Sequence, residues 1–156
     1  MKIIITGSVG TGKTALAKEL SKKLKYRYID VKKIISDNNI SEGYDKKRKT
    51  KIIDIKILNK YLIKEIKKSK NVIVDSHLSH YLPKKYVDLC IITKCNLKTL
   101  EKRLKKRKYS KEKIRENLDA EIFDICLEEA KQKNHKIVVI DTSSKININK
   151  IIKKLK

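Results

Sequence analysis

An octet near the amino terminus, Gly7-Ser8-Val9-Gly10-Thr11-Gly12-Lys13-Thr14, narrows the choice of folds more than any other feature of this 156-residue chain. It fits G-x-x-x-x-G-K-[ST] at every fixed position. The apolar run Lys2 to Thr6 precedes it. After it, Thr11 to Leu24 places Ala15, Leu16, Leu20 and Leu24 at helical spacing. Strand, glycine loop and helix in that order let the backbone curl, so that successive N–H groups and the helix dipole face one anion. Lys13 then reaches the β- and γ-phosphates as a point charge, and Thr14 offers a hydroxyl to Mg²⁺. Gly7, Val9, Gly10, Thr11, Gly12, Lys13 and Thr14 are the candidate ATP-binding positions.

The rest of the pattern repeats the same alternation. Short apolar runs predict strands at Arg27 to Ile29, Asn71 to Asp75, Leu89 to Thr93 and Lys136 to Ile140. Helical spacing predicts Val31 to Asp37 and a long helix over Ile52 to Lys67. Asn38 to Lys51 between them reads as a polar stretch with a Gly-Tyr turn. Asn96 can cap a helix running to about Lys106, Ser110 another running to about Gln132, and Asn147 to Leu155 closes the chain as a last helix. Five apolar runs alternating with helices predict a single α/β domain. Its five-stranded parallel sheet is flanked by helices on both faces, a P-loop NTPase. The longest apolar stretches are about four residues against the ~20 that a spanning helix needs, which argues against a membrane protein. Cys90, Cys95 and Cys126 form no C-x-x-C pair, and Cys90 and Cys126 read as small core residues. With no apolar leader before the glycine loop, the expectation is a reducing cytoplasm.

Lys and Arg outnumber Asp and Glu by 41 to 18, a formal charge of +23. Such a charge favours polyanions, nucleotides or RNA, although lysines scattered over every segment are also a matter of composition. Only five of these cations are arginines, so arginine clusters carry information. Arg103 and Arg107, four apart, share one helix face. Planar guanidinium forks there suit a migrating phosphoryl group. Arg115, further along, could join them or stay in solvent. Val72-Ile73-Val74-Asp75 is an apolar strand ending in a carboxylate, where an acid can hold a water of the nucleotide-bound Mg²⁺, so Thr14 and Asp75 are the candidate metal positions. Oxygen ligands of this kind argue against zinc at Asp75-Ser76-His77. His77 is better placed to orient or relay protons for water near the γ-phosphate. His80 reads as a hydrogen-bonded loop histidine and His135 as a surface one. The ligand crevice of a parallel sheet lies at the strands' carboxyl ends, which puts adenine near residues 142–145, with Ser144 among its contacts.

Together these stretches resemble the adenylate kinase 6 family, small archaeal and eukaryotic adenylate kinases that double as ribosome-assembly NTPases. The resemblance runs over nearly the whole chain. It rests on the phosphate loop, on Gly43-Tyr44-Asp45, on Asp75 through His80, on Arg103 through Ser110 and on Lys113 through Ile122. The Ser-His that follows Asp-x-His looks archaeal. The resemblance implies a core sheet, a monophosphate-binding segment at about 31–70 and a short lid at about 103–118. It also implies ATP-dependent phosphorylation of AMP, slow ATP hydrolysis and binding of an S11-class small-subunit ribosomal protein during rRNA maturation. The basic surface could also contact rRNA. Two positions depart from the family pattern. Lys32, Lys33 and Ser36 stand where it usually carries glycine and then an arginine, and Lys108 replaces the glycine of Arg-Gly-Tyr.

Overall fold

A computed structural model describes residues 1–155. Strands β1 (Lys2–Thr6), β2 (Arg27–Asp30), β5 (Val72–Asp75), β6 (Leu89–Lys94) and β7 (Ile137–Asp141) form one parallel sheet in the order β2-β5-β1-β6-β7. The glycine loop leads from β1, the central strand, into α1 (Lys13–Leu24). The other helices are α2 (Val31–Asp37), α3 (Ile55–Lys67), α4 (Leu97–Lys106), α5 (Lys111–Ile122), α6 (Ile125–Gln132) and α7 (Ile148–Leu155).

Alternate strand residues divide between two cores, as a parallel sheet covered on both faces requires. Ile4, Ile29, Val72, Val74 and Ile92 pack with Leu58, Leu62 and Ile66 of α3 and Ala130 of α6. Ile3, Ile5, Ile73 and Ile91 face the other way, against Leu16, Ala17 and Leu20 of α1 and Ile148 and Ile151 of α7. The same alternation that buries Ile73 on the α1 face puts Asp75, two residues on, at the carboxyl end of that face, beside the glycine loop.

Five sequence expectations need correction. The stretch read as polar with a turn is a hairpin: β3 (Ser41–Asp45) pairs antiparallel with β4 (Thr50–Ile53). The Asp45 carboxylate accepts from the backbone N–H groups of Lys47 and Arg48, both at 3.0 Å, and closes the turn. Consequently the helix expected from Ile52 starts only at Ile55, where Asp54 caps it by accepting from Ile57 N at 3.0 Å.

The helix expected over 110–132 is two. Asp124 adopts a left-handed φ of 52°, a conformation Asp tolerates better than most residues, and Lys94 pairs with its carboxylate. The buried Glu121 accepts from Cys95 N at 3.2 Å and pins the end of α5 to the sheet. His135 is buried, at 8% exposure, and its Nε2 donates to the His80 carbonyl at 2.9 Å. Lastly, Cys90 is core but Cys126 is half-buried, next to Gly7 and Ser8 behind the loop.

His80 is a hydrogen-bonded loop histidine, as its position suggested. Nε2 donates to Glu129 Oε2 and Nδ1 accepts from Thr6 Oγ1, both at 2.8 Å. Removing three side-chain carbons from the α3 face tests how much that face matters. Leu62, fully buried, should cost about 3 kcal/mol when changed to Ala. A urea titration that finds less than half of this would place the stabilising core elsewhere.

Candidate active site

The loop after β1 is held from behind by hydroxyls. Gly7 sits at φ 143°, and a Cβ there would lie 2.5 Å from the backbone oxygen and the Oγ1 of Thr93. Only glycine allows this approach. Thr11 Oγ1 lies 2.7 Å from both Ser8 O and Thr93 Oγ1. From β7's end, Thr142 Oγ1 donates to Thr11 O at 2.6 Å. Arg103 of α4 joins the same brace. Its Nη2 donates to Thr142 O at 2.6 Å, and its Nη1 lies 3.3 Å from Thr142 Oγ1 and 3.5 Å from Gly10 O. The Thr11 side chain therefore shapes the loop. Thr93 and Thr142 both serve this brace; the sequence reading gave Thr93 no site role and placed residue 142 only near the adenine. Their signal was available, since each is a polar residue at the carboxyl end of an apolar strand, as Asp75 is.

Lys13 opens α1 and folds back over the loop. Its Nζ donates to the carbonyls of Gly7 at 2.9 Å and Ser8 at 2.8 Å. Burial pushes its ammonium down to about 8. The nearby Cys126 and Asp75 oppose that shift, while the charges of Arg107 and Lys32 add to it. Four elements thus bring charge to one point at the open end of the sheet. Thr14 is exposed, and its hydroxyl makes no hydrogen bond among the described residues. Asp75 is only 7% exposed, and its Oδ2 accepts from the Tyr28 hydroxyl at 3.0 Å. The uncommitted Thr14 hydroxyl and the Asp75 oxygen left free by Tyr28 are of the hard-oxygen type that Mg²⁺ prefers.

His77 follows on the rim of the same cleft. The surrounding protein first, then Lys13, His80 and Lys32, push its imidazole down to about 4, so it is neutral at pH 7. A neutral ring can accept a proton from water. Arg107, the C-cap residue that follows α4, is exposed beside Tyr109. Burial raises the Tyr109 phenol, but Arg107, Lys113 and Lys32 outweigh this and leave it below its ordinary value. The Lys113 Nζ lies 4.2 Å from the Tyr109 ring centre. The arginines that the sequence paired therefore diverge, Arg103 bracing the loop and Arg107 facing the cleft. Arg115 pairs with Asp119 on its own helix at 2.9 Å. Ser144 is exposed after β7. Its neighbour Ser143 accepts from Asn96 N at 2.8 Å and ties that turn to α4.

A parallel sheet with this loop at its central strand and cations gathered at its carboxyl end defines a P-loop kinase. Solved structures share the architecture. Deoxyadenosine kinase from M. mycoides with bound dATP superposes with a TM-score of 0.60 at 23% identity, over 99% of this chain and 98% of that one. Shikimate kinase from Bacteroides thetaiotaomicron gives 0.55 at 14%, over 99% and 96%.

Residues 3–124 match a family described as an AAA domain. A Methanocaldococcus jannaschii protein provisionally named adenylate kinase is 33% identical over the whole chain and 86% of its own length. A Pyrococcus furiosus protein with the same provisional name is 36% identical over 93% of this chain and 77% of its own. Adenylate kinase isoenzyme 6 homolog FAP7 of Saccharomyces cerevisiae is 35% identical over 91% and 72%. The chain belongs to this adenylate kinase family. No helix among the described residues is long and apolar enough to cross a membrane.

Two outcomes follow from the loop's geometry. Gly7→Ala should lower stability by about 2 kcal/mol and abolish nucleotide binding, because the Cβ must displace the end of β6. An unchanged Tm with normal binding would show that the approach to Thr93 is unnecessary. The second concerns pH. Phosphate binds protonated Lys13 and raises its pKa, so the complex holds more protons than the free protein above pH 8. ATP affinity should stay level below pH 8 and weaken above it, by up to tenfold per unit. A flat titration from pH 6 to 10 would contradict this.

Proposed function

We propose that this protein transfers the γ-phosphoryl group of MgATP to AMP, hydrolyses ATP slowly, and serves small-ribosomal-subunit assembly together with an S11-class ribosomal protein. The observation that carries the kinase reading is the convergence on Lys13. Its ammonium lies within the loop, with Asp75, Arg107 and Lys32 brought within electrostatic range by β5, α4 and α2. Names of relatives support the choice of AMP. The assembly role rests on the family resemblance, and a charge of +23 suits contact with rRNA.

The chemistry is chiefly positioning and charge stabilisation. Lys13 leaves the Gly7 and Ser8 carbonyls for the phosphate oxygens as the loop N–H groups of residues 7–14 take the β-phosphate. Thr14, and Asp75 through water, hold Mg²⁺, which supplies further neutralisation of phosphate charge. Arg107 offsets charge on the migrating group, and Arg103 keeps the loop and the 142–145 turn in register beside the adenine, where Ser144 contributes. Residues 103–118 form the lid that keeps water out, and residues 31–70 hold the monophosphate. Neutral His77 orients the water used in hydrolysis.

The second reading is an NTP-driven assembly factor with residual kinase activity, and Ser36 in place of the family's arginine favours it. Steady-state ATP consumption with AMP, CMP, UMP, GMP or water alone separates the two. The kinase reading expects AMP to raise turnover at least about tenfold. Turnover that AMP barely moves would favour the assembly factor. In the same assay His77→Gly should lower AMP-independent hydrolysis about 10²-fold while ATP binding stays within twofold. Full hydrolysis by that variant would remove His77 from the chemistry.

A further inference from the structure

Asp75 is a buried carboxylate at the end of β5, and a buried carboxylate needs donors. Among the described residues it accepts one side-chain hydrogen bond, from Tyr28 on the neighbouring edge strand β2. The register explains the contact. Tyr28 lies beside Ile73, and Asp30 beside Asp75, so the phenol leans two residues forward along the shared face to reach the carboxylate. The ring packs against the α1-side core, which fixes its direction. Facing a carboxylate oxygen at 3.0 Å, the phenolic hydroxyl is the donor of the pair. Oδ2 is thereby occupied, and Oδ1 accepts nothing from the described residues.

We propose that Tyr28 is the positioning residue for the metal site: by donating to Oδ2 of Asp75 it holds the carboxylate in one orientation, which leaves Oδ1 for the water shell of the nucleotide-bound Mg²⁺. This rests on the reading that Asp75 serves the metal. Tyr28 acts through Asp75 and touches neither nucleotide nor reacting atoms. Partners that orient ligand groups around metals typically change metal affinity by about 10–100-fold when removed. Asp75 acts through a water, so the low end of that range applies.

The test measures binding and needs no turnover. The Kd of a fluorescent ATP analogue is taken in excess Mg²⁺ and again in EDTA, and the ratio is the tightening due to metal. Tyr28→Phe keeps the packed ring and loses only the hydroxyl. It should reduce that ratio about tenfold while the EDTA Kd stays within twofold of the parent, which also reports an intact loop. Asp75→Asn should lose most of the ratio, and adding Tyr28→Phe to it should change nothing further. A Tyr28→Phe ratio equal to the parent's, with Asp75→Asn defective, would overturn the role of Tyr28 alone. A full Tyr28→Phe effect that persists in the Asp75→Asn background would overturn it as well. If Asp75→Asn itself keeps the ratio, the metal role of Asp75 fails and Tyr28's falls with it.

Discussion

The approach of Gly7 to Thr93 governs the rest of this site. A glycine loop can cradle phosphate only if its backbone is held open and faces outward. Here the rear of the loop rests on the carboxyl ends of β6 and β7, through Thr93 and Thr142, with Thr11 bonded to both. Parallel order makes this possible, because β1, β6 and β7 all end at the same edge. Arg103 then extends the brace from α4 to the turn after β7. The loop's shape is therefore a property of the assembled sheet as much as of the octet itself.

Charge is arranged around that scaffold. On a surface carrying a formal +23, most lysines lie in solvent and decide little. At Lys13 the balance is different, since burial lowers its ammonium and Cys126 and Asp75 oppose this. Burial first, and then the charges of Lys13, His80 and Lys32, lower the His77 imidazole, and Lys32 with Arg107 and Lys113 acts on Tyr109. Cations from α1, α2, α4 and α5 thus face one space without carboxylate partners for most of them, which is the condition an anionic ligand relieves. Helix α5 and the hairpin also meet there. Arg48 pairs with Glu116 at 3.5 Å, and Lys113 Nζ lies 3.4 Å from Lys49 O, both links running from the β3–β4 turn to α5.

Apart from the local β3–β4 hairpin, the contacts that the sequence reading missed run over long separations. The β3–β4 hairpin lacks the continuous apolar run of a core strand, since it packs little of its surface and depends on Asp45 for its turn. The break at Asp124 leaves no mark in helical periodicity. It follows from the ties of Glu121 and Asp124 to the strand end at Lys94 and Cys95. His135 looks like any polar residue before a strand until its partner, the His80 carbonyl 55 residues away, is in place. Tyr28 drew no reading of its own within the strand Arg27 to Ile29, because its partner Asp75 lies 47 positions on.

The sequence by itself determined the strand-loop-helix start, the five core strands and their parallel direction, and the presence of Lys13, Thr14 and Asp75 among the candidate site residues. Those features are local: spacing, periodicity and residue type settle them, and a central strand's apolar run is unambiguous. Only the tertiary structure decided that Arg103 and Arg107 part company, that Thr93 and Thr142 brace the loop, and that Asp75 is oriented by Tyr28. Each of these is a hydrogen bond or a charge contact between elements far apart in the chain. Its energy depends on distances of a few ångströms that no single segment encodes.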